Sequence, residues 1–388
     1  MLLNATPRHK PENTTETMGT GPVYLLLVSR ESMYSVEMLV HRHLSLLLLL
    51  VTVLFLSACI PLRLAFTPGE LRAEFATRTA GQDVAPLIVP HEITAEQAET
   101  ARQAVSRAFR ASSRAEALKN ALFNPRYFGI QYTVAASTPA FETLARQKGN
   151  CLAIAAAYVG LARAVGLRAF YLDVSDSVHE VEDEDQIITR SGHVTAAVDT
   201  ETGMSALDFG GRLWPYAQYR TMDDLEATAH FHNNRGYSAI RRAQRKGQPI
   251  PWEEAAKDFR TAAALDPDFA KAWNNLGVAF ARRGRRGEAI EAYLKAIDID
   301  SGFASPRTNL GLLYLGAGEI GAATRSFEAA AEIAPGDARL RYHLGMARFR
   351  SGQTAGAIAE LRAALRLRPD YPKAQALLSS LLAQLKTE

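Results

Sequence analysis

Cysteine is nearly absent from this sequence: only Cys59 and Cys151 occur among its 388 residues. Two cysteines form at most one disulfide, so a disulfide-rich scaffold is excluded. Concentrated positive charge is lacking as well, since the formal net charge is +3 and lysine and arginine form no block. Charge this mild and dispersed gives no reason to expect nucleic acid as a partner.

The apolar segment at residues 44–56 is short for crossing a bilayer. It has 13 residues, which as a helix measure about 20 Å, whereas a spanning helix needs about 20 apolar residues. His41, Arg42 and His43 precede it, and the small residues Ser57 and Ala58 follow it. This order is typical of a secretory signal, with a membrane-spanning anchor as the alternative.

The residues Leu56-Ser57-Ala58-Cys59 resemble the lipobox of bacterial lipoproteins. The resemblance implies a signal peptide over residues 38–58, cleavage before Cys59, and lipidation of its thiol and new amino group. Ile60, rather than an aspartate, follows the cysteine, which in such proteins favours the outer membrane. We therefore expect a lipid-anchored protein of the bacterial cell envelope that faces the periplasm.

Residues 1–37 fit no part of this signal. We interpret them as a misassigned start or as an unusually long n-region. Once Cys59 is lipidated, Cys151 is the one remaining thiol, and no intramolecular disulfide can form.

The C-terminal half of the sequence has a period of 34 residues. The repeated positions are Leu276-Gly277, Leu310-Gly311 and Leu344-Gly345, then Ala289, Ala323 and Ala357, then Tyr293, Phe327 and Leu361. This pattern resembles the tetratricopeptide repeat. The resemblance implies helix pairs stacked into an all-α superhelix over residues 229–388. It predicts three regular repeats, an irregular first repeat with a longer hairpin, and a capping helix at residues 371–386.

A superhelix of this kind has a concave face, and the resemblance implies that this face holds a protein or peptide partner. The candidate lining residues are Lys271, Asn274, Asn275, Arg282, Asn309, Arg339 and Arg350. The alternative is that each is an ordinary solvated position. The residues themselves do not identify the partner.

Cys151 stands at the start of an expected helix at residues 152–165. Gly149 supplies a turn and Asn150 is a good N-cap residue. The helix is apolar almost all round, which predicts that it is the buried central helix of its domain. A thiol in the first turn of a helix faces the positive end of the helix dipole and unpaired N–H groups, and both favour the thiolate. Such a cysteine needs a histidine as base and a third group to orient that histidine.

The segment after this helix offers both groups on an expected hairpin. Strands are predicted at residues 168–174, 192–198 and 204–209, with a loop at residues 200–203. An even-numbered loop that pairs Asp199 with Met204 puts His193 and Asp208 on the same face of the sheet. His193 and Asp208 can then meet near Cys151.

Order and spacing of these three residues resemble the transglutaminase-like superfamily, a branch of the papain-like cysteine enzymes, over residues 130–215. The resemblance implies an α+β domain at residues 111–228, behind a linker and leading helix at 59–110. It assigns Cys151 as nucleophile, His193 as base and Asp208 as orienter. The sequence departs from the family where Val194 and Thr195 replace an aromatic residue after the histidine. It departs again where Ser205 and Ala206 replace a tryptophan before the aspartate.

Other polar residues near this site have weaker claims. Gln147 is a candidate oxyanion donor, with a solvated helix end as the alternative. His179 is a rival base in the acidic loop. It directly precedes the acidic run at residues 180–185, which we interpret as a solvated loop rather than as a calcium site or lid. His230 and His232 form a His-x-His pair without further ligands nearby, so no metal and no cofactor is predicted.

The sequence therefore predicts a transglutaminase-like α+β domain followed by an all-α tetratricopeptide superhelix. The expected chemistry is thiol acyl transfer, with hydrolysis of amide or peptide bonds favoured over cross-linking. The alternative is a catalytically inactive scaffold that assembles envelope proteins through its repeats. A small-molecule N-acyltransferase is a third hypothesis, disfavoured because nothing marks a cofactor site.

Overall fold

The structure is a computed structural model that describes residues 64–133, 137–174, 193–207 and 219–387. These residues belong to one compact unit, Arg63–Glu388. The lipobox, the acidic loop, His179 and Asp208 lie outside the described residues.

The first part of this unit contains both helices and strands, and helices follow in the second. The helices of the first part are α1 (Pro68–Arg78), α2 (Ala95–Ala104), α3 (Ala111–Phe123), α4 (Ala140–Arg146) and α5 (Cys151–Ala164). The strands are β1 (Gln131–Tyr132), β2 (Lys148–Gly149), β3 (Ala169–Asp173), β4 (Val194–Thr200), β5 (Gly203–Ala206) and β6 (Arg220–Met222). The later helices are α6 (Asp224–Arg245), α7 (Trp252–Leu265), α8 (Ala270–Arg282), α9 (Arg286–Ile299), α10 (Ala304–Gly316), α11 (Ile320–Ile333), α12 (Ala338–Arg350), α13 (Thr354–Leu367) and α14 (Pro372–Thr387).

Helix α5 is the centre of the first part, as its apolar sequence predicts. Every residue from Cys151 to Ala162 is buried. One face of an antiparallel sheet with the order β5-β4-β3-β6 packs against it. The alanines and Gly160 allow neighbouring segments to approach closely: a Cβ on Gly160 would lie 2.3 Å from the His91 carbonyl oxygen. The helix is therefore a fixed support for whatever its first residue does.

Helix α1 lies within residues 59–110, the segment predicted to be a linker and a leading helix, and it precedes α2. Its start is a capping box in which the Thr67 hydroxyl accepts from the Glu70 N–H while the Glu70 carboxylate accepts from the Thr67 N–H. Leu71 is its one fully buried side chain, so the helix lacks the apolar periodicity that a sequence search detects. Helix α2 ends at Ala104, six residues before the predicted end of this segment at residue 110, in a turn formed by Val105 and Ser106.

The second part is an all-helical superhelix of antiparallel pairs, α6–α7, α8–α9, α10–α11 and α12–α13, followed by α14. The predicted boundary between residues 228 and 229 falls inside α6, which begins at Asp224 because Asp223 and Glu226 form a capping box there. The N-terminal end of α6 therefore belongs to the core of the first part, into which Ala227 and Phe231 pack.

The repeated glycines mark the places where the two helices of a pair touch. A Cβ on Gly311 would lie 2.6 Å from the Phe327 ring, whereas a Cβ on Gly345 would lie 3.1 Å from Leu361 Cγ. The Phe327 ring therefore leaves no room for a methyl group at position 311, whereas Leu361 leaves a small space for one at position 345.

This difference gives a prediction for stability. Alanine gains about 1 kcal/mol of helix propensity over glycine, and overpacking costs about 1–3 kcal/mol. We expect Gly311→Ala to lower the free energy of unfolding by about 1–2 kcal/mol and Gly345→Ala to be close to neutral. Urea unfolding followed by circular dichroism measures both, and an equal effect of the two variants would contradict the packing argument.

Candidate functional site

The N-terminal end of α5 and one edge of the sheet lie at the same end of the first part. Residues 165–168 reverse the chain between α5 and β3, so β3 ends where α5 begins. Strand β4 runs antiparallel to β3, and the Val174 N–H donates to the His193 carbonyl at 2.9 Å. The structure therefore brings Cys151 and His193 to the same end of this helix–sheet layer, which we call the thiol end.

The turn before Cys151 is built by close packing. A Cβ on Gly149 would lie 2.8 Å from Thr143 Cγ2 and 3.2 Å from Ile154 Cγ1, so only glycine fits there. The Asn150 side chain accepts from the Ala153 N–H at 3.0 Å and donates to the Ser137 hydroxyl at 2.9 Å. These contacts fix the first turn of α5. Cys151 is 7% exposed, so a small part of it is accessible at the end of the helix.

Gln147 lies at the C-terminal end of α4 in the left-handed backbone region, with φ 54°. Gln147 is exposed to solvent. The nitrogen of its side-chain amide is 3.4 Å from the place that a Cβ on Gly129 would occupy. Its main-chain carbonyl accepts from the Gln131 N–H at 2.9 Å. Its role as an oxyanion donor stays a prediction.

The hairpin of β4 and β5 has the register on which the His–Asp argument depends. Asp199 pairs with Met204, and the pairing continues to Ala197 and Ala206. The Thr195 hydroxyl donates to the Leu207 carbonyl at 2.8 Å. Asp208 is the next residue in the chain and lies outside the described residues, so the orienter stays a prediction.

Arg220 and Asp173 also lie at the thiol end, which sequence analysis did not anticipate. Strand β6 pairs with β3 through Asp173 and Arg220, and their side chains are 3.8 Å apart. Arg220 also binds Glu226 on α6. Since this pairing joins residues far apart in the chain, no local pattern could have revealed it.

Three of the predicted partner-binding residues prove to be buried. Asn274, Asn275 and Asn309 are at most 3% exposed. Asn275 donates to Asn233 at 2.8 Å, and Asn309 donates to Asn274 at 2.9 Å. Asn274 in turn donates to Asn275 at 3.2 Å. These four residues form an asparagine ladder across α6, α8 and α10. The prediction that Asn274, Asn275 and Asn309 face a partner is therefore revised: they hold neighbouring helices together.

The four cationic residues predicted to bind a partner are more accessible to solvent than these asparagines. Arg282 and Arg350 are exposed, and Lys271 and Arg339 are half-buried. The Arg282 guanidinium lies 5.8 Å from the Trp252 ring centroid, and Arg350 donates to the Leu315 carbonyl at 3.3 Å. These four residues keep the partner-binding prediction.

A buried charge cluster joins α5 to the first repeat helix. Asp224 at the start of α6 is fully buried, and its carboxylate accepts from Arg163 at 2.7 and 2.9 Å and from the Phe66 N–H at 2.8 Å. Arg163 also donates to the Ala169 carbonyl at 2.9 Å. His91 lies beside this pair, with its Nε2 3.3 Å from Arg163 Nη1. Burial, opposed by Asp224 and aided by Arg163, lowers the pKa of His91 to about 4.

This low pKa gives a pH prediction. Because the unfolded chain protonates His91 near pH 6.5 and the folded chain does so near pH 4, stability is lost as the pH falls through that interval. The variant His91→Gln has no imidazole at this position, so protonation at residue 91 no longer lowers its unfolding free energy. The difference in unfolding free energy between parent and variant should change by about 2 kcal/mol between pH 7 and pH 5. Urea titrations at both pH values test it, and a pH-independent difference would contradict it.

The His-x-His pair belongs to the interior of the molecule. His232 Nδ1 is 3.0 Å from Asp258 Oδ1, and His230 stacks on Phe269 with ring centroids 4.2 Å apart. Burial lowers the pKa of His232, and the Asp258 contact opposes that shift. Within the ranges that the structure describes, no three His, Cys, Asp or Glu side chains form a group that could hold a metal ion. In the same ranges, no helix is long and apolar enough to cross a membrane.

The second part defines a class of protein, the helical-repeat arrays, in which consecutive helix pairs stack on one another. Models of the tetratricopeptide repeat match residues 251–302 and 314–381. The C-terminal region therefore consists of tetratricopeptide repeats, as the period of 34 predicts. Comparison with curated proteins gives no match.

Several solved structures are similar to part of the chain. MamA from Desulfovibrio magneticus RS-1 is 23% identical, with 41% of this chain and 85% of that chain covered and a TM-score of 0.35. The protein pilF of Pseudomonas aeruginosa is 23% identical, with 40% and 71% covered and a TM-score of 0.36. The first tetratricopeptide domain of Spaghetti (RPAP3), bound to an HSP90 peptide, is 22% identical, with 31% and 96% covered and a TM-score of 0.30.

Proposed function

We propose that this protein is a thiol acyl-transfer enzyme of the transglutaminase-like type, acting as a cysteine hydrolase on amide or peptide bonds. The observation that carries the proposal is the thiol end: Cys151 opens a fixed, buried helix where the strand that follows His193 begins. In this proposal Cys151 is the nucleophile, His193 the base and Asp208 the residue that orients His193.

The chemistry follows from these roles. The Cys151 thiolate attacks the carbonyl carbon, and N–H groups at the start of α5 are suited to stabilise the oxyanion. The C–N bond then breaks as protonated His193 gives its proton to the leaving amine, which leaves a thioester on Cys151. Water attacks the thioester with His193 as base, and the thiolate returns. An amine in place of water would give a cross-link, so the same site serves both outcomes.

The repeats and the N-terminal signal complete the proposal. The array docks a protein or peptide partner on its concave face, with Lys271, Arg282, Arg339 and Arg350 as candidate contacts. The lipidated Cys59 holds the chain to a membrane of the bacterial envelope, the outer membrane facing the periplasm. In domain terms, the signal covers residues 38–58, the linker 59–110, the cysteine domain 111–228 and the repeats 229–388.

An activated ester tests the acyl-transfer step without knowledge of the natural substrate. A chain beginning at residue 60 keeps Cys151 as its one cysteine, and 4-nitrophenyl acetate acylates an activated thiol with release of coloured nitrophenolate. We expect a rapid burst that approaches one nitrophenolate per chain, followed by slower turnover.

Two variants make this experiment decisive. Cys151→Ser should remove the burst, while His179→Ala, which alters the rival base, should leave it unchanged. A parent protein without a burst would instead support the inactive scaffold, in which the α+β domain and the repeats only assemble other proteins.

A further inference from the structure

A groove of about 950 Å³ lies between helices α7 and α8, with the end of α1 on one side and the start of α9 on the other. We call it the α7–α8 groove. Its floor is apolar and includes Trp273, Leu276 and Phe280. Its lining includes none of the residues predicted for the concave face, so it is a separate surface.

Three arginines, Arg78, Arg260 and Arg285, stand around this floor. The guanidinium groups of Arg260 and Arg285 lie 5.6 and 4.7 Å from the centroid of the same Phe280 ring. Two cations on one ring repel each other, an arrangement that favours a bound anion between them.

The carboxylates in the groove do not neutralise Arg260. Glu288 binds Arg285, and the Asp83 carboxylate is 2.9 Å from Lys257. Arg260 donates instead to the main-chain carbonyl of Asp83, and it has no ion pair with a carboxylate in the described part of the chain. Burial lowers the pKa of Arg260, and Arg285 and Arg283 add to this effect while Asp83 opposes it.

In the equivalent groove two repeats later, the arginines pair with carboxylates of the same groove. That groove has a volume of about 470 Å³. Arg341 and Arg348 stand where the first groove has Trp273 and Phe280, 68 residues earlier. Both donate to Glu360, at 3.1 and 2.9 Å, and Arg348 also binds Glu328 at 3.1 Å. The charges of this groove are paired internally. In the α7–α8 groove Arg78 pairs with Glu74 and Arg285 with Glu288, whereas Arg260 pairs with no carboxylate among the described residues, and the floor beside it contains the half-buried Trp273.

We propose that the α7–α8 groove binds an acidic peptide segment in which an aromatic or large apolar side chain stands between carboxylates. The apolar side chain packs on Trp273, the half-buried residue of the floor, and the carboxylates bind Arg260 and its arginine neighbours. The proposal rests on charge complementarity and does not depend on the chemistry of Cys151.

Fluorescein-labelled peptides test this with the full chain. The probe Asp-Glu-Phe-Glu-Asp should bind in fluorescence polarisation, and its affinity should fall as salt rises. A peptide with glycine in place of phenylalanine should bind about tenfold more weakly, and Lys-Lys-Phe-Lys-Lys should not bind. Equal binding of the three peptides, or no binding of the acidic aromatic one, would overturn the proposal.

Variants locate the site. Arg260→Ala should weaken binding about tenfold, because a charge-assisted hydrogen bond is lost, and Arg78→Ala should weaken it independently. The matched control is Arg286→Ala, which alters the neighbour of Arg285 that binds Glu319 outside the groove. Thermal unfolding verifies that each variant is folded. If Arg260→Ala and Arg78→Ala both bind like the control, the peptide lies elsewhere and the proposal is wrong.

Discussion

Replacing Asp224 by alanine is expected to lower the free energy of unfolding by about 3–5 kcal/mol, the range for breaking a buried ion pair from one side. The carboxylate is fully buried and accepts from Arg163 and from the Phe66 N–H. Without it, the Arg163 guanidinium keeps its contact with the Ala169 carbonyl but loses its counter-charge. The first repeat helix also loses its ion pair with α5.

The neighbouring residue supplies the control. Asp223 is the N-cap of the same helix and accepts from the Glu226 N–H at 2.8 Å, so Asp223→Ala should cost about 1 kcal/mol, the usual value for a lost cap. Urea unfolding of both variants at pH 7 makes the comparison. An Asp224→Ala variant no less stable than Asp223→Ala would show that the buried cluster does not hold the two parts together.

Replacing His193 by alanine is expected to slow acylation of Cys151 by about 10²–10⁴-fold, the range that a positioned general base contributes. The Val174 N–H holds the His193 main chain against the end of β3, so the side chain starts from a fixed point at the thiol end. The pre-steady-state rate of the nitrophenolate burst at pH 7 measures the effect.

The variant Asp208→Asn should be measured beside His193→Ala, because a smaller effect is expected from it. An orienter acts through the histidine, so its replacement should slow acylation less than His193→Ala does, and it should shift the pH profile of the rate. A burst rate in His193→Ala within about threefold of the parent, well below the range for a general base, would remove His193 from the mechanism.

Periodic and local features of this molecule follow directly from its sequence. The period of 34 predicts the helix pairs because each repeat places a small residue, such as Gly311, against a large one, such as Phe327. The central helix and the Asp199–Met204 register also depend on neighbouring residues alone. These parts of the fold are set by short-range patterning.

Features that join distant residues were not predictable in this way. The asparagine ladder looked solvated because asparagine is mostly exposed in proteins, and only the stacking of α6, α8 and α10 shows that its members satisfy one another. The Arg163–Asp224 pair spans 61 residues. The thiol end is intermediate in this respect: the sequence predicts that Cys151 and His193 lie near each other, whereas it gives no sign of Arg220 at the same end.

The pH dependence of Cys151 alkylation tests the central proposal most directly. In the chain beginning at residue 60 Cys151 is the one thiol, so the rate with iodoacetamide reports on it alone. An activated thiolate beside His193 predicts a rate that stays high well below pH 8 and loses this acid limb in His193→Ala. A rate that rises only near the ordinary thiol pKa of about 8.5, or no alkylation without denaturant, would contradict the thiol acyl-transfer site.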